Sequence, residues 1–390
     1  MTPQENRDYD VIVAGVGSLG SAACYHLAKR GVRVLGVERF EIPHTEGSHH
    51  GHSRMIRQAY FEHPDYVPLL RRAYELWDEL QRASTDEFFH VTGGLYVGPV
   101  DGAIVPGSLK AARMHGLDHS LLSAEEVIAR FPDIKPPADH LHFYEACGGF
   151  LVPERAVLAH AAAARQAGAT IQTGEALVSW TSHPDHVELV TDKARYTTEK
   201  LVLTAGAWSA GLAQELGIEL KVTRQVLAWF RPLGDADRFS PGRFPCWFIE
   251  SEPPYGHYGF PILPGDPGLK VAQHKPGEEI DPLSPHDPPR VEEIAALRAV
   301  LESHFPACAG ELAHACTCKY TVSPDGHFIV GAHPGHERVA IACGLSGHGF
   351  KFSSVLGEVL ADLACSGRAS MPIEFLNPLR FADQGPRLDR

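Results

Sequence analysis

The sequence has little of three features that would place it in other classes of protein, the first being long apolar runs. None of its 390 residues belongs to a run of about 18 consecutive apolar residues, the length that a membrane-spanning helix needs. Positive charge is the second, because 35 Lys and Arg against 48 Asp and Glu give a net charge of −13. That charge opposes non-specific binding to nucleic acid or to anionic membranes. The N-terminus is polar and acidic, unlike a signal peptide.

Cysteine pairs are the third scarce feature. The eight cysteines have no repeating spacing, as expected of a protein in the reducing cytoplasm. Cys316 and Cys318 form a C-x-C pair, but no second pair or neighbouring histidine cluster completes a zinc site. The length predicts about two domains. We therefore expect a cytoplasmic globular protein without a metal site.

The N-terminal region has the pattern of a βαβ unit. Residues 10–14 form a short apolar run typical of a buried parallel strand, and residues 32–37 form a second one. Between them, residues 21–30 are predicted to be helical and end at Gly31, a suitable C-cap. This order of strand, helix and strand is the context in which a glycine-rich turn binds a dinucleotide.

That turn has the spacing G-x-G-x-x-G. Gly15 permits the tight turn, Gly17 lets the backbone approach a pyrophosphate, and Gly20 allows the helix to pack closely on the strand. Glu38 lies 18 residues after Gly20, where a carboxylate accepts a hydrogen bond from a ribose hydroxyl and argues against NADP. The combination predicts dinucleotide binding rather than a purely structural turn, but it does not separate FAD from NAD.

The rest of the chain contains two kinds of segment. Apolar spacing predicts further helices and buried strands at 64–82, 154–168, 170–173, 200–204, 339–343 and 350–365. Residues 220–320 differ, because they are richer in proline and aromatic residues and contain alternating runs such as 222–231 and 246–250. These runs predict an antiparallel sheet. Since the nucleotide-binding elements lie on both sides of it, we expect a second domain inserted into the first.

Two polar clusters are candidates for chemistry. Residues 47–57 contain three histidines and two arginines, and a metal site is disfavoured because no carboxylate or cysteine completes the ligand shell. Either the segment is a solvated loop, or Arg54 and Arg57 contact a flavin edge and a substrate carboxylate, from one face if the segment is helical. Residues 344–349 form a glycine-rich turn whose N–H groups could stabilise an anion. Lys351 follows it, in a helical first turn where it opposes the helix dipole, so it either has a function or is merely solvated.

With these motifs the sequence resembles the monomeric sarcosine oxidase family, which includes the N-methyltryptophan oxidases. The stretches that carry the resemblance are GSHHGHSRMIR (47–57), TAGAWS (204–209), YGFP (258–261), GLK (268–270), CKYT (318–321), SPDGHF (323–328) and SGHGFKFSS (346–354). It implies an α/β fold with a Rossmann-type FAD-binding domain and an inserted α+β catalytic domain on a large mixed, mostly antiparallel sheet. The expected FAD-binding segments are 1–85, 145–220 and 322–385, and the expected catalytic segments are 86–144 and 221–321.

The resemblance also implies roles for individual residues. Cys318 matches the cysteine that joins the flavin 8α-methyl as a thioether, since the family motif has a tyrosine two residues later. Cys316 is its chemical rival, because residues two apart on a strand face the same side. Cofactor contacts are implied for Gly15, Gly17, Gly20, Glu38, Ser48, His49, Gly347, Gly349 and Lys351.

For the substrate, the resemblance implies that Arg57 and Lys351 hold a carboxylate. Arg54 would lie against the flavin, and Lys270 would help the flavin pass an electron to oxygen. The remaining pocket wall would be formed by Tyr258, His274 and Tyr320. His52 departs from the acidic or amide residue of many relatives, which leaves the local hydrogen bonding open.

The implied reaction is oxidation of an N-methyl amino acid. Hydride passes to flavin N5 and electrons to O₂, which gives H₂O₂, formaldehyde and the primary amino acid. Sarcosine, N-methyl-L-tryptophan, pipecolate and a D-amino acid remain alternative substrates, because the sequence does not fix the pocket volume. Alternatives of other classes are a flavin dehydrogenase that reduces a quinone or carrier protein, and an NAD-binding protein with a plain Rossmann half. We expect a monomer that binds neither nucleic acid nor membranes.

Overall fold

The computed structural model describes residues 9–284 and 287–382. Its strands are Tyr9–Ala14 (β1), Val34–Val37 (β2), Arg54–Ile56 (β3), Phe89–Val91 (β4), Gly94–Gly98 (β5), Ser120–Leu122 (β6), Leu141–Glu145 (β7), Gly149–Leu151 (β8), Thr170–Gln172 (β9), Leu177–Ser182 (β10), Val187–Thr191 (β11), Arg195–Leu203 (β12), Lys221–Phe230 (β13), Cys246–Glu252 (β14), Tyr255–Gly259 (β15), Leu269–His274 (β16), Leu312–Val322 (β17), Ile329–His333 (β18) and His336–Cys343 (β19). Its α-helices are Ser18–Lys29 (α1), Tyr66–Ala83 (α2), Ile104–His115 (α3), Ala124–Arg130 (α4), Pro153–Gln166 (α5), Ala210–Glu215 (α6), Val291–His304 (α7) and Ser353–Ser366 (α8).

The first sheet is built around the N-terminal βαβ unit. β1 lies between β2 and β12, and its pairing with both is parallel, as is that of β2 with β9 and of β12 with β19. Antiparallel pairing adds β10, β11 and β18. Alternate residues of β1 pack into two different hydrophobic clusters, Val11 and Val13 into one and Ile12 and Ala14 into the other. The strand is therefore buried on both faces, which explains its continuous apolar sequence.

The second sheet has eight strands in the order β17-β13-β16-β15-β14-β5-β7-β6. All neighbours pair antiparallel except β14 and β5, which pair in parallel. A third, small sheet has the order β3-β8-β4. The predicted fold class, a Rossmann-type unit with a large mixed and mostly antiparallel sheet, is confirmed. The predicted domain boundaries remain a prediction, and within them 1–8, 285–286 and 383–385 lie outside the described residues.

Several predicted elements differ from the structure at their ends or in type. α1 begins at Ser18, three residues earlier than predicted, and α7 lies within the region predicted as sheet. Residues 54–56 form a strand paired with β8, so the two arginines of this segment do not share a helical face. Lys351 lies in the 3₁₀ turn Phe350–Phe352 that precedes α8 rather than in an α-helical first turn. None of the helices described is long and apolar enough to cross a membrane.

Candidate active site

A cavity of about 530 Å³ extends from the end of β1 to the face of the second sheet. Most of the side chains and glycines predicted for the site line it, namely Gly15, Gly17, Glu38, Ser48, His49, Arg54, Arg57, Tyr258, His274, Cys318, Tyr320, Gly347, Gly349 and Lys351. Gly20 and Lys270 are not among the lining residues. The fold therefore brings together predicted site residues that are up to 336 positions apart in the sequence (Gly15 to Lys351).

At one end, the glycine-rich turn lies so close to neighbouring backbone that side chains would not fit. Gly15 has φ +90°, and a Cβ there would lie 2.5 Å from the carbonyl oxygen of Thr204. A Cβ at Gly20 would lie 1.8 Å from the carbonyl oxygen of Gly15, so α1 could not pack against β1. Gly17 precedes the first residue of α1 and faces the cavity, where the helix N-terminus favours negative charge.

Glu38 stands beside this turn, directly after β2. Its carboxylate accepts hydrogen bonds from the Val16 N–H at 2.7 Å and the Phe40 N–H at 3.1 Å. Burial raises the pKa of Glu38 above its ordinary value, although these backbone N–H groups oppose the shift. The backbone fixes the carboxylate at the cavity wall, and a carboxylate keeps further acceptor capacity for a ribose hydroxyl.

Cys318 lies on β17 and lines the cavity. Its Sγ is 3.5 Å from Nη2 of Arg54, whose guanidinium also donates to the carbonyls of Ser48 and Ser53 at 2.9 and 2.8 Å. Cys316 packs in the same small hydrophobic cluster, as expected for residues two apart on a strand. Of the two cysteines, however, only Cys318 lines the cavity. This geometry distinguishes two thiols that strand periodicity alone left equivalent.

Arg57 lines the end of the cavity where Glu62 and Lys351 lie beside Tyr60, and it has a partner that the sequence analysis did not predict. Its Nη2 donates to both carboxylate oxygens of Glu62, at 2.7 and 2.8 Å. The guanidinium packs between the rings of Tyr60 and Phe61, with centroids 4.5 and 4.4 Å away. Both Arg57 and Glu62 line the cavity, so an anionic ligand of Arg57 competes with an acid of the chain itself.

Lys351 is the second buried cation at this end. Its Nζ donates to the carbonyl of His348 at 2.8 Å and to the hydroxyl of Tyr60 at 3.5 Å. Burial, and secondly the charge of Arg57, lowers the pKa of Lys351 to about 7. An anion that binds beside Lys351 therefore stabilises its protonated form, because an opposite charge nearby favours the charged state of the group.

The wall above these cations is aromatic. The His274 Nδ1 is 3.4 Å from the Tyr320 hydroxyl, and the rings of Tyr258 and His274 lie 6.4 and 5.9 Å from that of Phe248. Burial lowers the pKa of His274 to about 3, so the imidazole is neutral at physiological pH. Gly347 allows Tyr320 to approach, because a Cβ there would lie 2.3 Å from the ring. Phe248 belongs to this wall although no motif predicted it.

Lys270 lies behind the wall rather than on it. Its Nζ donates to the carbonyls of Gly51 and Ser53 at 2.6 and 2.8 Å, and burial, followed by the charge of Arg54, lowers its pKa well below the ordinary value. The neighbouring His52 has Nδ1 3.0 Å from Oδ1 of Asp266 and does not line the cavity.

Two more cavity residues, Glu62 and His348, had no predicted role, and neither did Tyr60, which contacts both His348 and Lys351. Tyr60 donates to Nδ1 of His348 at 2.6 Å, because the other ring nitrogen must donate to the carbonyl of Gly326 at 3.1 Å. Glu62 follows Arg57 by five residues, and His348 lies inside the glycine-rich turn, so a signal for both was visible in the sequence. Within residues 9–284 and 287–382, no group of three His, Cys, Asp or Glu residues is arranged to hold a metal ion.

Comparisons with known proteins agree with this site. Residues 10–363 match the DAO family, described as FAD dependent oxidoreductase. A monomeric sarcosine oxidase of Streptomyces avermitilis is 41% identical over 376 residues, which cover 96% of this chain and 98% of the relative. An N-methyl-L-tryptophan oxidase of Salmonella dublin is 36% identical over 381 residues, which cover 96% and 99%.

Among solved structures, NikD, an unusual amino acid oxidase essential for nikkomycin biosynthesis, has a TM-score of 0.81 at 25% identity and covers 95% of this chain and 97% of its own. L-proline dehydrogenase from P. horikoshii shares the fold, with a TM-score of 0.82 at 21% identity and coverage of 97% and 99%. These similarities extend over both sheets. The chain therefore belongs to the DAO family of FAD-dependent oxidoreductases, and the predicted resemblance to the sarcosine and N-methyltryptophan oxidases is confirmed.

Proposed function

We propose that this protein oxidises the N-methyl group of a small secondary amino acid, with sarcosine as the first candidate. The observation that carries the proposal is a pair of buried cations, Arg57 and Lys351, which line the same cavity as the glycine-rich turn and Glu38. A ligand with one carboxylate fits between such cations. The relatives named as sarcosine oxidases are about 40% identical over nearly the whole chain, which supports the same assignment.

The residues at the nucleotide end fit FAD. Gly17 leaves the N-terminus of α1 open to the cavity, where a pyrophosphate would bind, and Glu38 can accept from the ribose. Ser48, His49 and the turn at Gly347 and Gly349 line the stretch between this end and the substrate. When bound, FAD supplies the oxidation, by accepting a hydride equivalent and returning the electrons to O₂ as H₂O₂.

The protein residues position the substrate for this step. Arg57 and Lys351 bind the carboxylate, so the N-methyl group is held at a fixed distance from the middle of the cavity. His274 is neutral, so it adds no positive charge beside the substrate amine. In this proposal the amine binds in its neutral form, and no strong base is then needed to remove a proton from it before hydride transfer. Loss of hydride from the N-methyl carbon of the neutral amine leaves an iminium ion, and its hydrolysis by water gives formaldehyde and the primary amino acid.

Two further cations have separate roles in the proposal, Arg54 on the cavity wall and Lys270 buried behind it. Arg54 lies beside Cys318 and would lie against the flavin. Lys270 would stabilise the negative charge that develops on oxygen when it accepts the first electron, because a fixed cation in a water-poor site acts strongly on such charge.

We also propose that Cys318 carries the flavin as a thioether, because it is the cysteine of the C-x-C pair that lines the cavity. Denaturation in trichloroacetic acid tests this, and we expect flavin in the protein pellet. Cys318→Ala should move the flavin to the supernatant, whereas Cys316→Ala should not. Flavin in the supernatant of the wild-type protein would disprove the covalent bond, and the reverse result for the two variants would reassign it.

The substrate class is tested by measuring H₂O₂ with sarcosine, N-methyl-L-tryptophan, pipecolate and glycine. N-methyl-L-tryptophan is the second candidate, because oxidases of that name are 36% identical over 381 residues. We expect turnover of a secondary amino acid and none of the corresponding simple amine. Turnover that requires a quinone and yields no H₂O₂ would replace the oxidase by a dehydrogenase. Light scattering would test the further proposal that the protein is a monomer.

A further inference from the structure

Glu154, at the start of α5, binds a turn of the chain that lies outside its own helix. Its Oε1 accepts hydrogen bonds from the N–H groups of Gly51 and His52, at 2.7 and 3.1 Å. Both residues have left-handed backbone conformations, with φ +98° and +67°. Since a left-handed conformation is costly for a residue with a Cβ such as His52, the turn needs contacts that hold it.

The carbonyls of the two peptide units that donate to Glu154 accept hydrogen bonds from two cations, Lys270 and Arg54. The peptide between Gly51 and His52 donates its N–H to Glu154 and accepts from Lys270 Nζ at 2.6 Å. The peptide between His50 and Gly51 also donates its N–H to Glu154, and its carbonyl accepts from Arg54. Each peptide thus lies between the carboxylate and one cation, and this orientation aligns its dipole with both charges.

The negative charge of Glu154 also acts on Lys270. Its second oxygen, Oε2, is buried and has no hydrogen-bond partner, and Lys270 forms no ion pair among the described residues. Burial and the charge of Arg54 depress the pKa of Lys270, and Glu154 raises it. An acid in the first turn of a helix can simply complement the helix dipole, but Glu154 directs its bonded oxygen at Gly51 and His52.

We propose that Glu154 is a positioning residue for Lys270: Glu154 fixes the turn whose carbonyls hold the ammonium and places a negative charge on the other side of that turn. The inference rests on the proposed role of Lys270 in the reaction with oxygen. It adds a residue that touches neither the substrate nor the cavity, because Glu154 does not line the cavity.

Glu145 is a matched control, because it binds the backbone a few residues further along the chain, next to Arg57. Glu145 accepts from the N–H groups of Gln58 and Ala59, at 3.2 and 3.1 Å, and from the hydroxyl of Tyr96 at 2.6 Å. It therefore holds the backbone next to Arg57 as Glu154 holds the backbone next to Lys270. The same Glu→Gln change at the two positions should affect different half-reactions.

The experiment compares Glu154→Gln, Glu154→Ala, Glu145→Gln and Lys270→Met as flavin-loaded enzymes. Stopped-flow absorbance gives the rate of anaerobic flavin reduction and, separately, the rate of reoxidation by O₂ as a function of pH. Hydrogen exchange of the peptide that contains Gly51 and His52 reports on the turn without any turnover.

For Glu154→Gln we expect reoxidation to fall by about tenfold, with its pH midpoint moved down by about one unit, because the charge is lost. Reduction and hydrogen exchange should stay close to wild type, since glutamine keeps the acceptor oxygen. Glu154→Ala should slow reoxidation and also speed exchange at Gly51 and His52. Glu145→Gln should instead raise the KM for the amino acid and leave reoxidation within about twofold of wild type.

Lys270→Met separates a failure of the proposed role of Lys270 from a failure of the proposed role of Glu154. If it slows reoxidation and Glu154→Gln does not at any pH, the role of Glu154 is wrong and that of Lys270 stands. If Lys270→Met itself leaves reoxidation unchanged, the proposed oxygen role fails and the inference fails with it. Equal losses in both half-reactions of Glu154→Gln would also overturn the inference, because they indicate a general structural defect.

Discussion

Replacement of Glu62 by glutamine should tighten the binding of a small carboxylate inhibitor, such as acetate, by roughly tenfold. In the free protein the Arg57 guanidinium donates to both oxygens of Glu62, at 2.7 and 2.8 Å, and both side chains are mostly buried. An inhibitor carboxylate that takes this edge of the guanidinium must first displace Glu62. The affinity measured for the wild type is therefore the difference between two carboxylates that compete for one cation.

The magnitude follows from the bonds that change. A hydrogen bond to a charged group contributes about 1.5–3 kcal/mol, and glutamine retains one acceptor oxygen and loses the charge. A gain at the lower end of that range, about 1.5 kcal/mol, corresponds to roughly tenfold in Kd. One effect opposes it, because the charge of Glu62 also raises the pKa of Lys351, which burial and Arg57 lower to about 7. The comparison therefore belongs below pH 7, at a pH where further acidification changes neither Kd, because the Lys351 ammonium is then protonated in both proteins.

The assay is a titration of the flavin absorbance with acetate at that pH. Glu75→Gln is the matched control, because Glu75 lies on the exposed side of α2 and pairs with Arg72. It removes the same charge without touching the cavity and should leave Kd unchanged. An unchanged or weaker affinity in Glu62→Gln, with the control at the wild-type value, would refute competition between Glu62 and the ligand.

Three further predictions concern other parts of the site. The anion binds the protonated form of Lys351, whose pKa is about 7. Inhibitor affinity should therefore be constant well below that pH and fall as pH rises through it, and Lys351→Met should abolish this dependence. A wild-type Kd that is flat between acid and alkaline pH would contradict the assignment. Lys270→Met should slow flavin reoxidation by about 10²–10³-fold and anaerobic reduction much less, as stopped-flow measurements would show. Gly20→Ala, whose Cβ would lie 1.8 Å from the Gly15 oxygen, should lose bound flavin and lower Tm, whereas Gly335→Ala, with no neighbour closer than 3.7 Å, should retain both.

The parts of the fold that could be predicted from the sequence are those decided by local patterns. The apolar run of β1, the glycine spacing and Glu38 lie within 29 residues of one another, and strand periodicity and helix capping suffice to interpret them. Residues 54–56 were harder, because a three-residue strand is held by its pairing with β8 rather than by its own propensity. Lys351 was predicted within a regular helix, and the 3₁₀ turn that carries it has no distinct local signal.

The candidate site shows the same division. The residues that line the cavity could be predicted from several motifs and from the family resemblance that those motifs carry, because the residues of each motif lie close together in the sequence. The partners of those residues do not, since Glu154 meets Gly51 across 103 positions and Lys270 meets the same residue across 219. Sequence spacing holds no information on such contacts until the strands are paired. Strand periodicity did not separate Cys316 from Cys318, whereas the family motif favoured Cys318, which is the one of the two that lines the cavity.

The groups on the second sheet occupy positions that backbone hydrogen bonds determine. Phe248 pairs with Tyr258, Tyr258 with Ala272, Ala272 with Leu227 and Leu227 with Cys316, so one continuous row crosses five strands. Neighbouring strands lie about 4.8 Å apart, and residues on one face repeat about every 6.8 Å along a strand. A side chain in this row can therefore be exchanged while its neighbours keep their places. Substrate range could thus change one residue at a time, whereas a slip of one residue in a single strand would turn every group it contributes away from the cavity.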